Sequence, residues 1–159
     1  LSKGLAADVK IGLQSDMLSN KKRFLVRLGC EEEMKREAIN ALDAPQPRGY
    51  SQAVRLENFE RLLFVSGQVP VLSGQAIPED FAAQARQVWL NIDAQLWAAG
   101  MGKSDIVKIN TYIADRGYLA VNREVRSEYL GALLPASTLV VAELVDSAWL
   151  LEIEVVAAQ

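Results

Sequence analysis

The 159-residue sequence contains no histidine. That absence excludes a Ser-His-Asp or Cys-His arrangement assembled within the chain. Acid–base chemistry is left to Glu, Asp, Lys, Tyr or bound water. The single cysteine, Cys30, excludes an intrachain disulfide, and it cannot supply a cysteine-based zinc site, so no metal is expected. A reducing compartment is the simplest expectation, and the cytoplasm is its default. No apolar run reaches the roughly 18–20 residues that a bilayer-spanning helix needs. The first residues lack the layout of a secretory signal, so no membrane partner is expected. Positive charge is also in short supply: 17 Lys and Arg stand against 20 Asp and Glu, a net charge of −3. Counterion release on phosphates would contribute little, which argues against nucleic acid as a partner.

What is present suits one globular domain. Half of the residues are hydrophobic and 23% are charged, a balance that supports a real core. Residues 1–33 read apart from the rest. They combine a weak apolar pattern with a basic knot at Lys21-Lys22-Arg23 and an acidic one at Glu31 to Glu33. They are expected to be a separate extension or cloning remnant and a candidate for disorder, with residues 34–159 as the domain.

From about residue 43 the pattern sharpens. "DAPQPRGY" (43–50) is punctuated by Pro and Gly and predicts a turning segment. "SQAVRL" (51–56) and "RLLFVSGQ" (61–68) read as strands, and their spacing predicts a β-hairpin with a four-residue loop. Residues 79–99 predict a helix, because Phe81, Ala85, Val88, Ile92, Leu96 and Ala99 step by threes and fours. Glu79 and Asp80 belong to its first turn, and Gly100 and Gly102 stop it. "DIVKINTYIAD" (105–115) alternates like a half-buried strand. A second helix is expected over 118–132, then strands at about 137–144 and 149–157.

The resulting order, β-β-α-β-α-β-β, argues an α+β fold: one mixed sheet with two helices on one face. In the last strand Leu151, Ile153 and Val155 face the helices, while Glu152 and Glu154 share the opposite face. A half-apolar open face is the usual sign of an oligomer or a pocket. Trp89 and Trp97 read as packing residues. Arg48, Arg123 and Arg126 are expected to be solvated.

The landmarks "DAP" with "GYSQAV" (43–54), "FVSGQVP" (64–70), "AAQARQVWLNIDAQLWAAG" (82–100), "DIVKINTYIAD" (105–115), "VNREVRSEYL" (121–130), "PAST" (135–138) and "EIEVVA" (152–157) occur in order over nearly the whole domain. In this set the chain from about Met34 to Ala158 resembles the reactive intermediate deaminase family, RidA, also called YjgF or L-PSP. The resemblance implies a chorismate-mutase-like fold and a homotrimer with small-molecule clefts between subunits. It also implies hydrolysis of enamines or imines without metal or organic cofactor, in which a water attacks the imine carbon and ammonia leaves.

Carried over by position, Glu152 matches the carboxylate associated with the attacking water and Tyr50 the pocket tyrosine. These two are the catalytic candidates. Ser66 and Gly67 match the "SGQ" pair, and Asn122 matches the helix asparagine. Ser137 stands where the family carries the substrate-gripping arginine of "PARS", and Thr138 takes the adjacent Ser position. These five are the substrate-binding candidates.

The serine is a departure with consequences. Arginine offers a planar fork to a carboxylate, whereas serine offers one short neutral donor. A hydrogen bond to a charged group is worth ~1.5–3 kcal/mol, so losing a bidentate pair weakens binding by about a hundredfold or more. The expectation is an enamine or imine deaminase acting on something other than the usual 2-imino acids. The alternatives are a non-catalytic metabolite-binding or scaffold trimer and, less favoured by the charge, an RNA-cleaving translation inhibitor.

Overall fold

A computed structural model of the chain describes residues 33–159. The basic knot, Cys30 and all but the last residue of the 1–33 segment lie outside the described residues. The elements are β1 (Lys35–Ile39), β2 (Ala53–Glu57), β3 (Leu62–Gln68), α1 (Phe81–Ala98), β4 (Ile106–Ile113), α2 (Leu119–Leu130), β5 (Ala136–Val141) and β6 (Leu151–Ala158). The fold class is α+β, as the sequence argues.

The main sheet has the order β3-β6-β4-β5, parallel between β4 and β5 and antiparallel elsewhere. Alternation builds its buried side. Ile109 and Ile113 of β4 and Leu151, Ile153 and Val155 of β6 are buried. They form one cluster with Ala85, Val88, Ile92 and Leu96 of α1 and with Val125 and Leu130 of α2. Burying a side chain of this size stabilises by about 1.5–3 kcal/mol, so this layer holds the domain together.

Two ring stacks fasten the helices to each other: Phe81 on Tyr118 at 4.6 Å and Trp89 on Tyr129 at 4.2 Å between centroids. The Tyr129 hydroxyl donates to Asp93. Burial, and then that carboxylate, push the phenol well above the usual tyrosine range.

The helix boundaries have local causes. Asp80 is the N-cap of α1, not a first-turn residue, and its Oδ1 accepts from the Ala83 amide at 3.1 Å. At the other end Gly100 adopts φ 68°, the left-handed conformation that glycine tolerates, and the Met101 amide returns to the Leu96 carbonyl at 2.8 Å.

The expected hairpin between 51–56 and 61–68 is not formed. β2 pairs instead with β1, a strand that "KREAI" does not announce because charge interrupts its alternation. The two make their own ladder, and Arg36 ties it to the start of β4 by donating to the carbonyls of Ser104 and Ile106, each at 2.7 Å. The entry to β3 is held by the far end of β6, since the amides of Glu60 and Arg61 both donate to the Gln159 carbonyl. Trp97 also departs from expectation. It is 85% exposed, whereas Trp89 is in the core.

Candidate functional site

The seven candidates fall into two groups. Ser137 and Thr138 show why: they are consecutive in β5, so their side chains leave opposite faces of the sheet. Ser137 pairs with Ile109 on the helix side, and Thr138 pairs with Asn110 on the open side.

On the open face, β6 presents Glu152 and Glu154 opposite Tyr112 and Asn110 of β4. Glu154 is engaged: its Oε1 accepts from Asn110 Nδ2 at 2.6 Å and from the Tyr112 hydroxyl at 3.2 Å. That hydrogen bond, more than any other influence, raises the Tyr112 pKa above its ordinary value. Lys108 Nζ donates to Thr138 Oγ1 at 2.6 Å on the same face. Ser66, Lys108, Asn110 and Glu154 line a shallow cavity of about 250 Å³ with Phe64.

Glu152 accepts no side-chain hydrogen bond among the described residues, so its lone pairs remain available. Its carboxylate lies against Gly67, at the place where β3 breaks register with β6 between Val65 and Gln68. A β-bulge re-aims the strand at such a point. Here Gly67 lies against the carboxylate, and glycine leaves the room that the carboxylate fills.

Tyr50, Asn122 and Ser137 meet elsewhere, in a cavity of about 690 Å³ shared with Gln46, Arg48 and Arg126. Three local features build it. Gly49 turns the chain with φ 76°. Ser51, fully buried, then clamps the segment along the start of β5: its Oγ donates to the Leu134 carbonyl at 2.7 Å and its amide to the Pro135 carbonyl at 3.2 Å. Finally α2 presents one face, with Leu119, Asn122, Arg123 and Arg126 at i, i+3, i+4 and i+7. Asn122 is buried, yet its amide makes no hydrogen bond to the described residues and opens on the cavity.

Arg126 corrects the reading of the α2 arginines as solvated. Its Nη1 donates to the Gly49 carbonyl, and its Nε and Nη2 are buried without a partner. Burial lowers its pKa from the ordinary guanidinium value. Arg48 and Arg123 are exposed, as expected, although both line the same cavity. The sequence held the signal for Arg126, which lies four residues after Asn122 and therefore on the same helix face. Lys108, Asn110 and Glu154 were not singled out for the site, because their meeting depends on strand register.

Among the described residues no three His, Cys, Asp or Glu side chains gather as a metal site. No described helix is long and apolar enough to cross a membrane.

The sequence profile of the family described as endoribonuclease L-PSP matches residues 39–159. The chain belongs to the RidA/YjgF family. A RutC family protein of Pyrococcus horikoshii is 38% identical over 125 residues, covering 77% of this chain and 97% of that protein. The mouse 2-iminobutanoate/2-iminopropanoate deaminase is 32% identical over 127 residues, covering 78% of this chain and 92% of its own. Among solved structures, the Rid family protein YyfB of Yersinia pestis superposes with a TM-score of 0.68 at 30% identity, over 78% of this chain and 98% of that one. The α+β architecture of this RidA/YjgF member is thus that of its relatives.

Proposed function

We propose that this protein hydrolyses a small enamine or imine other than the short 2-imino acids, in clefts formed between copies of the chain. The observation that carries the reading is the unengaged Glu152 carboxylate seated against Gly67, the residue that follows Ser66. A carboxylate with open lone pairs is suited to hold a water and take its proton as the water adds to the C=N carbon. Returning that proton to nitrogen, and then taking the hydroxyl proton of the tetrahedral adduct and passing it to nitrogen as the C–N bond breaks, leaves a carbonyl and ammonia. The Ser66 hydroxyl and the bulged backbone are donors for charge that develops during the addition. No metal or organic cofactor enters this chemistry, and the cytoplasm remains the proposed compartment.

The division of the site supports the proposed subunit arrangement. Glu152, Gly67, Ser66 and Thr138 lie on the open face, whereas Tyr50, Asn122 and Ser137 line a separate cavity, so neither group is complete alone. Phe64, 72% exposed, and Val140, 42% exposed, leave the open face partly apolar, which favours covering by another copy. A homotrimer joins the cavity of one subunit to the carboxylate of the next. Ser137 in place of an arginine removes the usual carboxylate grip from β5, hence the altered substrate.

Mixed trimers test the arrangement. Glu152→Gln and Asn122→Ala proteins are each expected to be inactive, and co-assembly at equal amounts should restore activity in roughly a quarter of the clefts. Mixtures as inactive as either parent would contradict a shared cleft.

A further inference from the structure

We propose that Arg126 is a positioning residue for Tyr50: it fixes the peptide plane before the tyrosine and ties that plane to the helix carrying Asn122. The Arg126 Nη1 donates to the Gly49 carbonyl, 77 residues away in sequence. That carbonyl and the Tyr50 amide belong to one planar peptide group, so a partner on the oxygen also sets the direction of the Tyr50 N–Cα bond. The peptide group after Tyr50 is held as well, because its N–H, on Ser51, donates to the Pro135 carbonyl at 3.2 Å. Both planes that define the Tyr50 dihedrals are therefore anchored, one to α2 and one to the entry of β5.

The first anchor acts at the least restrained point of the segment. Gly49 has φ 76°, and glycine has the widest choice of backbone states once it is released. A Cβ on Gly49 would lie 3.8 Å from Arg126 Nη1, an ordinary contact, so the glycine serves the turn and not the approach of the guanidinium. Other side-chain bonds of the segment are short in range: Gln46 Nε2 donates to the carbonyls of Ala41 and Ala44, and Gln52 Nε2 to that of Pro45. They shape the turn without attaching it to a helix. Asn122 and Arg126 are one turn apart on α2, so the Gly49 bond couples Tyr50 to Asn122 along the wall of one cavity. Nε and Nη2 of Arg126 have no partner among the described residues, so one donor does the holding. A buried cation with two unmade bonds is unfavourable, a local cost that folded proteins carry at functional sites. The value of a fixed Tyr50 for turnover rests on the function proposed above; its being fixed does not.

Fluorine NMR of the intact protein labelled with 3-fluorotyrosine reads the position directly. The chain has four tyrosines, and Tyr50→Phe assigns the resonance of interest. In Arg126→Met that resonance should broaden and move toward the shift of free fluorotyrosine, while those of Tyr112 and Tyr118 stay in place. Arg126→Lys keeps one donor and should preserve the Tyr50 resonance of the parent. On an imine that the parent hydrolyses, Arg126→Met should lower kcat about ten- to a hundredfold with KM little changed, and add nothing to the loss in Tyr50→Ala. Arg126→Lys should recover most of the rate. The proposal is overturned if Arg126→Met leaves the Tyr50 resonance unmoved, if Arg126→Lys fails as badly as Arg126→Met, or if the Arg126→Met loss adds in full to that of Tyr50→Ala. Dissociation of an oligomer in Arg126→Met would overturn it too, by assigning the residue to a subunit contact. A parent without activity would overturn the proposed function alone, because the Tyr50 resonance still decides the positioning.

Discussion

A Cβ atom placed on Gly67 would lie 1.6 Å from Oε1 of Glu152 and 2.6 Å from its Cδ. The glycine is therefore required by the carboxylate and not by its own backbone, whose φ is not in the left-handed region. Gly67→Ala should displace the Glu152 side chain, the flexible partner, and leave the strand in place. The expected outcome is a protein with Tm within a few degrees of the parent and activity reduced as far as in Glu152→Gln. Thermal melting and ammonia assays on the same preparation check it. A Gly67→Ala protein with full activity would show that Glu152 does not act from this position.

The two tryptophans of α1 should differ sharply in their worth. Trp89 is buried and stacked on Tyr129, so Trp89→Ala is expected to cost about 3–5 kcal/mol. Trp97 is 85% exposed, and Trp97→Ala should change stability by no more than about 0.5 kcal/mol. Urea midpoints at constant m-value distinguish the two. Equal losses would mean that Trp97 is covered in solution.

The fold was legible wherever one period ruled a segment. The stripe from Phe81 to Leu96 and the alternation of Leu151, Ile153 and Val155 follow directly from burial on one face, and both are found. β1 was not legible, because Lys35, Arg36 and Glu37 serve an exposed edge ladder where no buried face enforces a pattern. The mistaken hairpin has a related cause: residues 51–56 and 61–68 each read as strands, but partner choice is decided by groups far away in sequence, such as the Gln159 carbonyl.

The site was half legible for similar reasons. The resemblance to the family, position by position, pointed to Glu152, Asn122 and Tyr50. Which of them meet depends on strand faces, and adjacent residues such as Ser137 and Thr138 are parted by the pleat. Asn110 with Glu154 and Lys108 with Thr138 depend on register across strands. Arg126 was readable from its spacing to Asn122, whereas its missing partners are a property of the folded chain alone.

A serine in place of a fork also makes a prediction about selectivity. Ser137→Arg would set a guanidinium on β5 opposite the helix-side arginines, and should raise ammonia release from 2-iminopropanoate while adding like charge to the cavity. The kcat/KM ratio between 2-iminopropanoate and a bulkier imine, measured for both proteins, should shift toward the short substrate. An unchanged ratio would remove Ser137 from the substrate-recognising set.

The most direct measurement is ammonia release from a series of imines and enamines generated in place, comparing the parent protein with Glu152→Gln. The parent should accelerate release from at least one member of the series, and Glu152→Gln should lose about 10²–10⁴-fold of that rate while keeping its fold and oligomeric state. A parent protein without activity on any of them, or a Glu152→Gln variant as active as the parent, would contradict hydrolysis by a Glu152-held water.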